Sequence, residues 1–151
     1  MSAIVVLREE LKVDVPVEDA FAFVGDFANA QIWDPGVESS RNATGSLVGV
    51  GTRYDLIVIF GERRLPMSYE VAVFDPPHRV VLRGTGQTVT AVDDIRFDPE
   101  PPGTRIRYIA DLRLKGIARV VEPLLRGRFH ETGRRAMAGM TAAFASRSGP
   151  R

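Results

Sequence analysis

Between positions 37 and 113 the chain alternates apolar and polar residues, broken by tight turns; after Gly116 it becomes one long helical stripe. That pairing constrains the fold more than anything else in the sequence. A set of strands with one apolar face must bury that face, and only the last element is long enough to cover it. Short loops between successive strands make them antiparallel neighbours.

The spacing predicts strands over 52–60, 63–74, 79–83, 88–97 and 104–114, after a first segment opening at Val37. Gly45, Gly49 and Gly51 mark a loop. Gly61-Glu62 has the composition of a two-residue hairpin turn. Asp75-Pro76-Pro77-His78 forces a second turn, Gly84-Thr85-Gly86 is expected to break a strand, and Asp98-Pro99-Glu100-Pro101-Pro102-Gly103 reads as a rigid turn. Upstream, residues 4–15 alternate, with Val5, Leu7, Leu11, Val13 and Val15 on one side. Pro16 ends that strand. Val17, Phe21 and Val24 then recur at helical spacing, with Glu18 and Asp19 in the first turn, where the helix dipole favours acids. Gly25 is a stop, and a second short helix is expected over 27–33.

Residues 118–145 predict one helix, with Val121, Leu125, Phe129, Thr132, Ala136, Met140 and Ala143 in a single stripe. Pro123 must either begin a second segment or kink it. About 28 residues at 1.5 Å each give a rod of about 42 Å. A strongly curved sheet wrapped round such a rod encloses a space open at one end. The whole chain, 1–151, reads as one α+β domain with a frayed tail over 146–151.

Composition removes several functions. There is no cysteine and there are two histidines, so disulfides, thiolate metal sites, a cysteine nucleophile and a three-histidine metal site are excluded. No apolar run reaches the ~18 residues of a bilayer span, and the N-terminus has no signal-peptide pattern. The expectation is a cytoplasmic protein with no integral membrane association. No cofactor or metal is expected: Gly84-Thr85-Gly86 is not a dinucleotide fingerprint, and no phosphate-binding loop or nucleophile elbow is present. Residues 115–151 carry eight basic side chains against Glu122 and Glu131. Without interleaved aromatics this reads as a solvated helix face, and no nucleic-acid partner is expected. Exposed strand edges and the basic helix leave room for a homodimer.

Several local features are similar to those of a known family. They are Val15-Pro16-Val17 with Ala20-Phe21; Phe27 with Trp33 before Pro35-Gly36-Val37; Gly51 before the third strand; Asp75-Pro76-Pro77 closing the fourth; and Gly103-Thr104 opening the last. With the order of elements, they make residues 3–145 resemble the helix-grip fold of the START / polyketide cyclase–dehydrase superfamily. The resemblance implies a curved, seven-stranded antiparallel sheet round a long C-terminal helix, with two short helices after the first strand. Relatives bind lipids, sterols, polyketides, quinones and plant hormones; some are cyclases or aromatases, and some are modules without chemistry.

Seven residues are candidates for contact with a ligand. Trp33, the only tryptophan, is either a core anchor for the second helix or an apolar surface at the cavity mouth. Tyr54, Tyr69 and Tyr108 fall in the concave register, Tyr54 with Leu56 and Val58, Tyr69 with Val71 and Val73, and Tyr108 with Ile106 and Ala110. Their hydroxyls either orient a polar ligand group or satisfy one another. Asp93 shares its side with Val89, Ala91, Ile95 and Phe97, while Asp94 points to the other face. If that side is the inner one, Asp93 is a carboxyl among apolar walls and the candidate catalytic acid or base; the alternatives are a bulge that inverts the register and a rim position paired with an arginine. Phe129 and Met137 are the helix's contributions. His130 either flanks the cavity or sits at the sheet edge; His78 is expected in an exposed turn. The expected function is binding of a hydrophobic small molecule, such as a lipid, polyketide or isoprenoid-like compound. The alternatives are a cyclase or aromatase using Asp93 and a tyrosine, and a non-catalytic interaction module with a filled interior.

Overall fold

The computed structural model describes residues 3–147. The chain runs β1 (Ala3–Val13), α1 (Val17–Val24), a 3-10 turn (Phe27–Asn29), α2 (Ala30–Trp33), then six strands: β2 (Val37–Asn42), β3 (Arg53–Phe60), β4 (Arg63–Asp75), β5 (Arg79–Gly86), β6 (Val89–Glu100) and β7 (Gly103–Leu114). It closes with α3 (Ile117–Val120) and α4 (Glu122–Arg147). Pro123 is the second residue of α4, a position where its missing N–H costs nothing, so it starts the long helix. Ser146 and Arg147 still belong to α4; residues 148–151, the rest of the expected tail, lie outside the described residues.

All seven strands form one antiparallel sheet in the order β1-β7-β6-β5-β4-β3-β2. The β3–β4 hairpin turns at Gly61, whose φ of +63° is open to glycine and strained for other residues. Alternation places Val5, Leu56, Val71, Leu82, Ile95 and Ile106 in the buried inner layer. The outer face carries ion pairs, with Arg105 on Glu100 and Glu10, and Arg107 on Asp98.

Three local expectations are corrected. Gly84 and Gly86 do not break β5, which runs through both. A Cβ at Gly84 would stand 2.6 Å from the Tyr69 ring, and one at Gly86 2.4 Å from the Met67 sulfur. These glycines mark the close approach of neighbouring side chains, which a strand accommodates as readily as a stop. The turn expected over 98–103 shrinks to Pro101-Pro102, because Asp98, Pro99 and Glu100 pair with β7. Val73 leaves the inner face. The register of β4 shifts between Val71 and Val73, and Phe74 turns inward to pack on Phe21 at 5.3 Å.

The long helix is seated by its C-terminal half. Ala136, Met137, Met140 and Phe144 are buried. Phe144 meets Phe23 of α1 edge-on at 5.2 Å, and the Arg147 guanidinium lies 4.3 Å over the same ring. A Cβ at Gly139 would stand 2.1 Å from the Trp33 carbonyl oxygen, and one at Gly133 3.4 Å from Leu7 of β1. The first half of α4 is partly exposed. Its firmest tie to the far side of the sheet is Phe129, stacked on Phe60 of β3 at 4.5 Å.

Alanine normally stabilises a helix relative to glycine by up to ~1 kcal/mol. Gly127 has open space around its Cβ position. Gly127→Ala is therefore expected to stabilise the protein by that order. Gly139→Ala is expected to destabilise it by about 2 kcal/mol, since the methyl meets backbone. Urea unfolding of both variants checks this; a neutral Gly139→Ala would show that α4 is not held against Trp33.

Candidate functional site

Between the sheet and the first half of α4 lies a cavity of about 1310 Å³. That is large for a small-molecule site, and it is not the filled interior expected of an interaction module. Val121, Leu125, Phe129, Thr132 and Ala136, the first five residues of the expected stripe, all reach its wall. Exposed side chains in or beside three turns, Glu62, Arg63, Gln87 and Lys115, line it at one end, where it opens to solvent.

The other end is polar and buried. Trp33 closes α2 and is only 1% exposed. It packs against Phe27 at 6.2 Å and Tyr108 at 6.1 Å. Its Nε1–H meets no acceptor among the described residues. Asp34 follows directly, and its Oδ1 accepts the Gly36 N–H at 2.8 Å. Asp93 stands in the middle of β6, opposite Leu82 and Ala110, and is 5% exposed. The Tyr108 hydroxyl donates to Asp93 Oδ2. Tyr108 faces Ile95 across the ladder, so the contact is diagonal, within reach of a long side chain. Tyr69 completes the group from β4.

Burial dominates the electrostatics. Desolvation pushes the Asp93 carboxyl up to about 7, against the opposing pull of the Tyr108 hydrogen bond; the nearby Asp34 charge adds to the rise. Desolvation likewise raises Asp34 to about 6, held back by the Gly36 N–H. Both tyrosines are driven well above their ordinary range, first by burial and then by Asp93, so their hydroxyls stay protonated. Asp94, one residue on, behaves oppositely. Burial opposes its ionisation, but the Arg79 guanidinium binds it at 2.9 and 3.1 Å and holds it below the usual carboxylate range. Adjacent positions on one strand thus face two environments.

Of the seven nominated residues, Trp33, Tyr69, Asp93, Tyr108, Phe129 and Met137 share the cavity wall. Tyr54 does not reach it. The Tyr54 hydroxyl donates to Asp26 Oδ1 at 3.1 Å, tying β3 to the 3-10 turn that Asp26 caps. His130 is not on the wall, and His78 is exposed in its turn. Besides the exposed Glu62 and Glu131, two less exposed wall carboxylates escaped the sequence reading. Asp34 sits before Pro35 and reads there as a turn residue. Glu9 was more accessible to inference: it occupies the inward register of β1 between Leu7 and Leu11, an acid where the alternation calls for an apolar side chain. Among the described residues no cluster of histidine, aspartate and glutamate could hold a metal ion, and no helix is long and apolar enough to cross a membrane.

Residues 5–146 match the family described as polyketide cyclase / dehydrase and lipid transport. The chain belongs to that family, and its sheet and long helix are the START-like helix-grip fold. Solved structures agree on the architecture. The protein TTHA0849 from Thermus thermophilus superposes with a TM-score of 0.81 at 18% identity, covering 95% of this chain and 99% of that one. A START superfamily protein from Mycobacterium smegmatis gives 0.79 at 14% identity, with 95% and 99% covered. The Zhui aromatase/cyclase from a Streptomyces species gives 0.74 at 13% identity, with 95% and 93% covered. No curated protein sequence matches the chain.

The raised Asp93 carboxyl has a measurable consequence. A carboxyl that titrates at about 7 when folded and near 3.8 when unfolded makes the folded state the better proton binder between those values. Its contribution to stability therefore falls as pH rises from about 4 to about 7, and the full cost is present above that. Asp93→Asn is expected to exceed the wild type by on the order of 2–4 kcal/mol at pH 8 and by much less at pH 4. Denaturant titrations at the two pH values give the comparison. A difference independent of pH would mean that the carboxyl ionises as if exposed.

Proposed function

We propose that this protein binds a hydrophobic small molecule in the cavity between the sheet and α4. The observation carrying this reading is the cavity itself: about 1310 Å³, walled mostly by apolar side chains, with its polar groups gathered at one buried end. Apolar burial supplies affinity at roughly 25 cal/mol per Å² before the costs of ordering and immobilisation. The few polar groups fix orientation, as they do in pockets of this kind. Membership of a family described by cyclase, dehydrase and lipid-transport activities supports the reading.

Trp33 is the only tryptophan and lies on the wall, so its emission is a direct reporter. Saturable changes are expected on titration with long-chain alcohols, isoprenoid alcohols or polycyclic aromatics. Mass spectrometry of an organic extract of the purified protein should recover a bound apolar compound. A flat response across the panel with an empty extract would refute the reading.

A second reading is favoured by Asp93, a buried carboxyl poised near neutrality and joined to a tyrosine hydroxyl. In a cyclase-type reaction the Asp93 carboxylate takes a proton from a methylene between two carbonyls. The carbanion then forms a carbon–carbon bond to a second carbonyl polarised by Tyr69. Asp93 returns its proton to the resulting alkoxide. Such a role predicts that Asp93→Asn lowers cyclisation of a poly-β-keto thioester by at least about a hundredfold while the fold persists. Unchanged turnover would exclude Asp93 as the base.

A further inference from the structure

The buried end of the cavity has a chemical asymmetry. Five carboxyl-bearing residues reach the wall; Glu62 and Glu131 are exposed, whereas Glu9 from β1, Asp34 after α2 and Asp93 from β6 are half-buried or buried. Among the described residues, the basic side chains on the wall, Arg63, Lys115, Arg128 and Arg135, are all exposed. Arg135 is also engaged by Glu131 at 3.3 Å. A ligand whose head enters the buried end therefore meets carboxyl groups and no buried cation. The Trp33 indole N–H is an independent observation. Trp33 is 1% exposed, packs on the Tyr108 ring whose hydroxyl bonds Asp93, and its donor has no acceptor among the described residues. A buried donor without a partner is destabilising, and an acceptor that reaches it relieves that cost.

We propose that the end of the cavity where Trp33, Asp34 and Asp93 line the wall recognises an uncharged oxygen head group, a hydroxyl or a carbonyl, and rejects carboxylate-headed ligands. A carbonyl oxygen accepts from Trp33 Nε1–H. A hydroxyl oxygen does the same and donates its own proton to a carboxyl oxygen of Asp34 or Asp93. A carboxylate would be desolvated beside two acidic groups, and like charges at short range in a buried site repel. An ammonium would satisfy the carboxylates but offers the indole N–H no lone pair. The inference rests on the binding function proposed above and narrows it to a ligand class.

The test uses N-phenyl-1-naphthylamine, an uncharged apolar fluorophore without oxygen, as the reporter of cavity binding at pH 8. It is displaced by a matched set: decan-1-ol, decan-2-one, decanoate and decylammonium. The alcohol and the ketone are expected to compete at least about tenfold more strongly than decanoate, and more strongly than decylammonium. In Trp33→Phe, with competition corrected for that variant's own fluorophore affinity, the alcohol and ketone are expected to weaken about fivefold relative to decylammonium, which cannot accept from the indole. Should that variant fail to fold, the Asp34→Asn/Asp93→Asn double variant carries the test, with decanoate gaining at least about threefold relative to decanol. Decanoate or decylammonium competing as well as decanol would overturn the head-group assignment and leave the cavity reading intact. So would a Trp33→Phe protein whose preference for alcohol and ketone over decylammonium is unchanged, or a double variant with unchanged selectivity. Failure of the fluorophore and all four competitors to bind would remove the binding function itself, and this assignment with it.

Discussion

The cavity exists because α4 is packed tightly along one half and held off along the other. Two glycines set the close half: Gly139 brings the helix against the Trp33 backbone, and Gly133 brings it onto Leu7 of β1. Met140 and Phe144 fill the space around those contacts. Toward the helix start no described residue is comparably buried, and the stacked pair of Phe60 and Phe129 spans the gap. Interiors normally close to near-crystalline density. Here the curvature of seven strands keeps the sheet away from a helix anchored at its far end, and the space left over is the site.

That geometry also determines where polarity is tolerated. Asp93, Tyr69 and Tyr108 are side chains of central strands that would be poor choices for a solid core. Their hydrogen bonds are partly internal, as in the Tyr108–Asp93 contact, and partly unused, as at the Trp33 indole. The chain thus holds a small polar group at the buried end of an apolar wall, with carboxyls desolvated enough to resist ionisation. Stability lost there is offset by the dense aromatic packing behind it, where Phe27 meets Trp33, Tyr54 and Tyr69 at 5.1–6.2 Å. The outer face shows the contrast: Asp94, one residue from Asp93, is ionised and clamped by Arg79.

The fold was legible because it rests on periodicity. Alternation in β1, β3, β6 and β7 and the stripe of α4 each encode which face is apolar, and a sheet face and a helix stripe have few ways to bury each other. The inward placement of Tyr69, Asp93 and Tyr108 followed from the same rule, since a side chain's face on a strand is fixed by parity. Parity failed where the backbone slips. The shift at Ala72 exchanges Val73 for Phe74, and no residue type at those positions announces it. Gly84 and Gly86 misled for a related reason: glycine reads as a stop, but here it yields space to side chains of the next strand.

The sequence by itself determined the element order, the single antiparallel sheet and the faces of its strands, because those depend on local pattern and chain connectivity. The tertiary structure alone decided which inward groups meet. Tyr54 points inward yet commits its hydroxyl to Asp26, 28 residues away along the chain. Asp34, unremarkable before a proline, arrives beside Asp93 because α2 folds across the end of the cavity. Distances between residues far apart in sequence depend on how the sheet bends and where the helix seats, and no periodicity encodes either.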